Sequence, residues 1–154
     1  MDLHEAASKG DVSAVKRCLH SGVDVNVRRN IGNTALYIAS LCNRPEVVRC
    51  LLKREADTEL RGWRGWTPLV EAAANNRTSV IRELLAGGAQ VNGQTKSGNT
   101  ALSEAARYGH KESVKMLLQA QADPNLCGEN GSNPLHESGM CIILSFPEKQ
   151  MMYI

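Results

Sequence analysis

Four histidines (His4, His20, His110, His136) and five cysteines (Cys18, Cys42, Cys50, Cys127, Cys141) are the side chains best suited to proton transfer, nucleophilic attack or metal ligation. Their spacing argues against all three. The cysteines are odd in number, scattered and contain no Cys-x-x-Cys pair, so neither a zinc site nor a disulfide framework is expected. Free thiols in a reducing compartment, cytoplasm or nucleus, fit best. His-Glu-x-x-His, Gly-x-Ser-x-Gly and Gly-x-x-x-x-Gly-Lys are absent from the sequence, which removes the common hydrolase and phosphate-binding signatures. His4 and His136 occupy equivalent positions of a repeat, His110 follows Gly109, and His20 falls near a helix C-terminus. All four read as structural, and no catalytic residue, cofactor or metal is expected.

The elements that carry these residues follow a fixed period. Gly32, Gly65, Gly98 and Gly131 are spaced by 33 residues, as are Leu3, Leu36, Leu69, Leu102 and Leu135. Ala6/Ala39/Ala72/Ala105, Val15/Val48/Ile81/Val114, Leu19/Leu52/Leu85/Leu118 and Thr34/Thr67/Thr100 run in step. One period reads as a turn at Gly65, a short helix from Pro68 with Leu69, Ala72 and Ala73 on one face, and a break at Asn75–Arg77. A second helix carries Val80, Ile81, Leu84 and Leu85, stops at Gly87–Gly88, and gives way to a polar, projecting hairpin. Two such helices cannot bury their apolar faces alone, so the units must stack.

The segments Thr67-Pro68-Leu69-Val70-Glu71-Ala72, Thr34-Ala35-Leu36-Tyr37-Ile38-Ala39 and Thr100-Ala101-Leu102-Ser103-Glu104-Ala105 resemble the ankyrin repeat and its T-P-L-H-x-A signature. Gly109-His110-Lys111-Glu112, Gly22-Val23-Asp24-Val25-Asn26 and Gly88-Ala89-Gln90-Val91-Asn92 extend the likeness. It covers about residues 2–139 and implies an all-α solenoid of helix-turn-helix units with projecting β-hairpin loops. Four full units are expected, near 2–31, 32–64, 65–97 and 98–130, with a partial fifth at 131–139. Glu55 and Gln121 stand where other units have glycine, and Glu59 replaces Asn in the Asn26/Asn92/Asn125 column, so the second unit is expected to be the looser one. The resemblance also implies that this asparagine column is a candidate for hydroxylation. Beyond Gly139 the repeat grammar stops, and residues 140–154 read as an unrelated tail on an array cut mid-repeat, as an alternative transcript would produce. An idiosyncratic C-terminal cap is the competing expectation.

Composition narrows the function. Hydrophobic residues make up 42% and aromatics 4%, so Leu, Ala and Val must fill the core. A formal charge of +2 disfavours charge-driven binding to bulk nucleic acid, no apolar run is long enough for membrane insertion, and the acidic start Met1–Glu5 does not read as a signal peptide. In a solenoid of this kind the hairpins and first helices line a concave groove. The period maps Arg29, Ile31, Asn33, Arg61, Trp63, Arg64, Trp66, Lys96 and Asn99 onto hairpins, and Lys9, Leu41, Asn75, Arg107 and Tyr108 onto first helices. Both tryptophans fall in one hairpin beside arginines, the pair of side chains most enriched at interface hot spots. Residues 1–77 carry twelve basic and nine acidic groups, so a basic groove receiving an acidic protein segment is expected. The expected function is a monomeric, non-enzymatic adaptor, scaffold or targeting module. Direct inhibition of an enzyme such as a protein kinase is the alternative.

Overall fold

The computed structural model describes residues 1–29 and 31–126. The expected partial fifth unit and the tail lie outside the described residues, as do Cys127, Asn30 and His136. Eight α-helices are found among the described residues: α1 (Leu3–Lys9), α2 (Val12–His20), α3 (Ala35–Leu41), α4 (Pro45–Leu52), α5 (Pro68–Ala74), α6 (Thr78–Ala86), α7 (Ala101–Arg107) and α8 (Lys111–Gln119). Odd-numbered helices pack against one another in one layer and even-numbered helices in a second, each odd helix also packing on the helix that follows it. None is long and apolar enough to cross a membrane.

Each first helix starts where a side chain relieves an orphan amide. Thr34, Thr67 and Thr100 accept from the backbone N–H of Tyr37, Val70 and Ser103 at 3.2, 3.3 and 3.1 Å, and Asp2 does the same for Glu5 at 3.0 Å. The turn into the second helix requires one left-handed residue, supplied in step by Gly10, Asn43, Asn76 and Gly109 with φ of 81, 55, 54 and 73°. Between the layers, Ala6, Ala39, Ala72 and Ala105 are fully buried, and their small side chains let the first helices stack closely. Leu36, Leu51, Leu69, Leu84, Leu102 and Leu117 fill the remaining volume.

Polar bonds repeat at the same interval and tie unit to unit. The Asn26 carboxamide oxygen accepts from the Asp57 amide at 2.9 Å, and Asn92 accepts from Asp123 at 2.7 Å. Glu59 takes the same part, accepting from the Gln90 amide at 3.0 Å. Loss of Asn at this position therefore costs the second unit no bond to its neighbour, because a carboxylate is an equally competent acceptor, while Glu55 does hold the left-handed conformation on which the expected looseness also rested. His110 Nε2 donates to the Ala74 carbonyl at 2.9 Å, the Arg44 guanidinium to the Ser8 carbonyl at 2.9 Å, and His20 accepts from Arg54 at 2.9 Å. Arg49 and Glu83 join α4 to α6 through two bonds of 3.0 and 2.6 Å.

The hairpins are shorter than the family pattern suggests. Each closes with two backbone bonds across the tip: Arg29, Gly62 and Thr95 donate to the Asn33, Trp66 and Asn99 carbonyls at 3.0, 2.9 and 2.8 Å, and Gly32, Gly65 and Gly98 donate back to the Arg29, Gly62 and Thr95 carbonyls at 3.1, 3.0 and 3.0 Å. Only the first registers as an isolated bridge, and no strand forms among the described residues. Arms this short cannot build a ladder.

Two outcomes test this account. Glu55 and Gln121 hold the left-handed conformation at φ 60 and 65°. Glu55→Gly is expected to raise the stability measured by chemical denaturation by up to about 1 kcal/mol. A fall would contradict the strain assigned here. The Arg49 hydrogen bond lowers the Glu83 carboxyl from its ordinary 4.5. Its contribution is thus complete above the unfolded carboxylate range and fades as pH falls through the lower folded value. Arg49→Met should unfold earlier than the parent at pH 7, and the two denaturation midpoints should converge in acid.

Candidate functional site

The second hairpin builds the most distinctive surface. Gly62 must be glycine for reasons of space, since a Cβ there would fall 2.6 Å from both Tyr37 Cγ and Asn33 Oδ1. That close approach lets Asn33 Oδ1 accept from the Trp63 amide at 2.7 Å and places the Tyr37 hydroxyl oxygen 3.2 Å from the Trp63 carbonyl. Gly62 to Gly65 then form a tight turn closed by the Gly65 amide on the Gly62 carbonyl at 3.0 Å, with Arg64 at φ 66° and Gly65 at φ 70° in the left-handed region. The Arg64 guanidinium lies 4.3 Å from the Trp63 ring centre and 5.6 Å from that of Trp66. Trp63 is 50% exposed, whereas Trp66 packs partly against the core.

Across from the tryptophans stands Tyr108 at the end of α7, 52% exposed and stacked on His110 at 6.1 Å. Together they bound a cleft of about 450 Å³ floored by Glu71, Ala74 and Asn75. Glu71 is 7% exposed. Its Oε2 accepts from the Tyr37 hydroxyl at 2.5 Å and its Oε1 from the Asn75 side-chain Nδ2 at 2.9 Å. Burial, followed by the bond to this carboxylate, pushes the Tyr37 phenol far above its ordinary range, so it serves as a fixed donor. In the repeat signature this position is histidine; His4, its counterpart, reaches the Val27 and Asn33 carbonyls at 3.1 Å each.

The structure thus brings Trp63, Arg64, Trp66, Asn75 and Tyr108 into one cleft. Arg29, Ile31 and Asn33 line a second, of about 430 Å³, with His4, Glu5, Ser8 and Ile38. Ile31 is 62% exposed there. Six other candidates line neither cleft. Leu41 is 39% exposed at the end of α3, and Lys96 is exposed beside Gly65. Lys9 pairs with Glu5 at 2.7 Å, Arg107 lies 3.7 Å from Glu104, and Asn99 donates to Glu104 at 2.7 Å. Arg61 donates to the Gln94 carbonyl of the next hairpin at 2.7 Å, as Arg28 does to the Arg61 carbonyl at 3.3 Å. Arg29 forms an ion pair with Asp2. Much of the groove's positive charge is therefore engaged within the fold. Among the described residues no group of three or more His, Cys, Asp or Glu side chains is arranged so that it could hold a metal ion.

Glu71, Tyr37 and Gly62 were not among the residues that periodicity singled out. A signal for Glu71 was present, since Glu5, Glu71 and Glu104 share a column. Nothing local tells which of these carboxylates is buried.

A family profile described as "Ankyrin repeats (3 copies)" matches residues 3–95 and 72–140. Among curated proteins the chain is similar to human ankyrin repeat domain-containing protein 40, at 44% identity over 59 residues, covering 38% of this chain and 16% of that protein. It is also similar to the mitochondrial disaggregase of Bos taurus, at 43% identity over 58 residues, covering 38% of this chain and 9% of that one. An ankyrin repeat protein of fowlpox virus matches at 40% identity over 60 residues, covering 38% and 15%. The chain thus spans less than a fifth of the length of each of these relatives.

Tyr37→Phe strips Glu71 of a donor while leaving its carboxylate buried. A loss of about 1–3 kcal/mol in denaturant unfolding is expected, with a shift in tryptophan emission as the hairpin loosens. Unchanged stability would show that the phenol–carboxylate bond does not hold the cleft floor.

Proposed function

The chain belongs to the ankyrin-repeat family, an architecture that mediates protein–protein contact, and on that premise we propose that it is a non-enzymatic interaction module whose partner docks in the cleft between the Trp63–Trp66 hairpin and Tyr108. The observation that carries this reading is the exposed Trp63–Arg64 stack beside Tyr108, two large aromatic faces left at the surface of a chain with only six aromatic residues. Aromatic and arginine anchors set in a recess are the usual source of interface binding energy.

Charge supports an acidic segment as the occupant of the rim. Arg64 is held by ring faces, while Arg61 and the exposed Lys96 stand on neighbouring hairpin positions. Lys9, Arg29 and Arg107 already lie beside Glu5, Asp2 and Glu104, whereas Arg61 meets a carbonyl that leaves its charge unneutralised, so positive charge concentrates at the hairpin tips. We propose an adaptor or scaffold role in cytoplasm or nucleus for a monomeric chain, the scattered cysteines favouring a reducing setting.

Replacing Trp63 and Arg64 together should leave far-ultraviolet circular dichroism unchanged and reduce partner capture in affinity purification. A hot spot worth about 2 kcal/mol corresponds to roughly thirtyfold weaker binding. Equal capture of the same partners by parent and double variant would overturn the docking assignment.

A further inference from the structure

The cleft carries two opposite charges in a definite order, positive Arg64 on the tryptophan faces and negative Glu71 at the floor. We propose that its inner seat receives a cationic side chain, lysine or arginine, from the bound partner segment, and that Arg64 fills that seat in the partner's absence. For the identity of the ligand as a protein segment this rests on the docking reading above; the existence of the seat does not.

Three observations converge. The faces of Trp63 and Trp66 already accept a guanidinium at 4.3 and 5.6 Å, which shows that the pair accommodates a planar cation. Tyr108, lining the same cleft, adds a third aromatic ring, and the half-exposed state of Trp63 and Tyr108 opens the seat to an incoming group. Below them Glu71 is more than nine-tenths buried, each carboxylate oxygen holding one protein donor. A carboxylate oxygen has two lone pairs, so acceptor capacity is left, and its negative charge in a partly water-excluded recess attracts a cation and repels an anion. An acidic group therefore cannot occupy the floor; it belongs at the rim. Arg64 holds its position in the left-handed backbone region, which costs free energy for a non-glycine residue. When a partner's cation takes the ring faces, Arg64 turns outward to join Arg61 and Lys96 against acids flanking that cation. The segment so defined is a lysine or arginine set among aspartates or glutamates.

Both tryptophans of the chain lie in this hairpin, so intrinsic fluorescence reports on the seat. The experiment titrates tetramethylammonium chloride against sodium chloride at matched ionic strength. Arg64→Gly empties the seat and suits the backbone at φ 66°. It is expected to show saturable quenching by tetramethylammonium at about tenfold lower concentration than the parent. Adding Tyr108→Ala, an exposed position safe for folding, should abolish that response. In a second arm, short synthetic acidic segments with a central arginine or a central glutamine are compared on the parent chain, the arginine form binding about tenfold tighter. Indifference of Arg64→Gly to the cation, or equal affinity for the two segments, overturns the inference. Binding of neither segment counts against the acidic-segment reading above, and the cation titration alone then decides the seat.

Discussion

Every α-helix among the described residues has seven to nine residues, whereas an isolated helix in water needs roughly 12–15 to hold its shape. Stacking must therefore supply what length does not. Buried Ala6, Ala39, Ala72 and Ala105 bring the first helices close together, and the bonds from Asn26, Glu59 and Asn92 recur at the same interval on the loop side. Because each unit leans on the next, a polar residue at one of these positions is judged by whether it can reach across to its neighbour's amide. Glu59 can, and so a change that breaks the sequence pattern leaves the physical pattern whole.

The same dependence explains the cleft. Its floor comes from α5, one wall from the hairpin before α5 and the other from the end of α7, so three consecutive units must be in register for it to exist. The phenol of Tyr37 ties α3 to α5, giving its one proton to Glu71 while its oxygen lies 3.2 Å from the Trp63 carbonyl in the hairpin. Glycine at position 62 is the steric condition for this approach, and left-handed Arg64 is its conformational cost. Strain and exposed aromatic surface in one short turn run against stability, and they coincide at the site proposed above for a partner.

Much of the architecture was legible in the 33-residue columns, because those columns report which faces must be apolar and where a chain reversal needs glycine or asparagine. Helix pairs, threonine caps and the structural parts played by His4 and His110 follow from that chemistry. The hairpins fell short of strands because the backbone bonds of each are confined to its tip. Periodicity also gathered the candidate surface residues onto hairpins and first helices, but as a single groove; the structure divides eight of them between two clefts and sends Arg61 along the solenoid to the next hairpin.

What the sequence by itself determined is the repeat, its helices and the apolar layers between them, since these depend on local spacing and on burial that recurs at a fixed interval. Only the tertiary structure decided where the long polar side chains end. Glu71 and Glu5 share a column, yet one is buried beneath Trp63 and the other is exposed and pairs with Lys9. Their fates differ because the neighbouring units present different groups: Tyr37 supplies a buried donor to Glu71, and α1 has no preceding unit among the described residues to supply one to Glu5. A carboxylate can be buried only where donors satisfy it; for Glu71 one of them, Tyr37, comes from the preceding unit and is placed by stacking rather than by position in the chain.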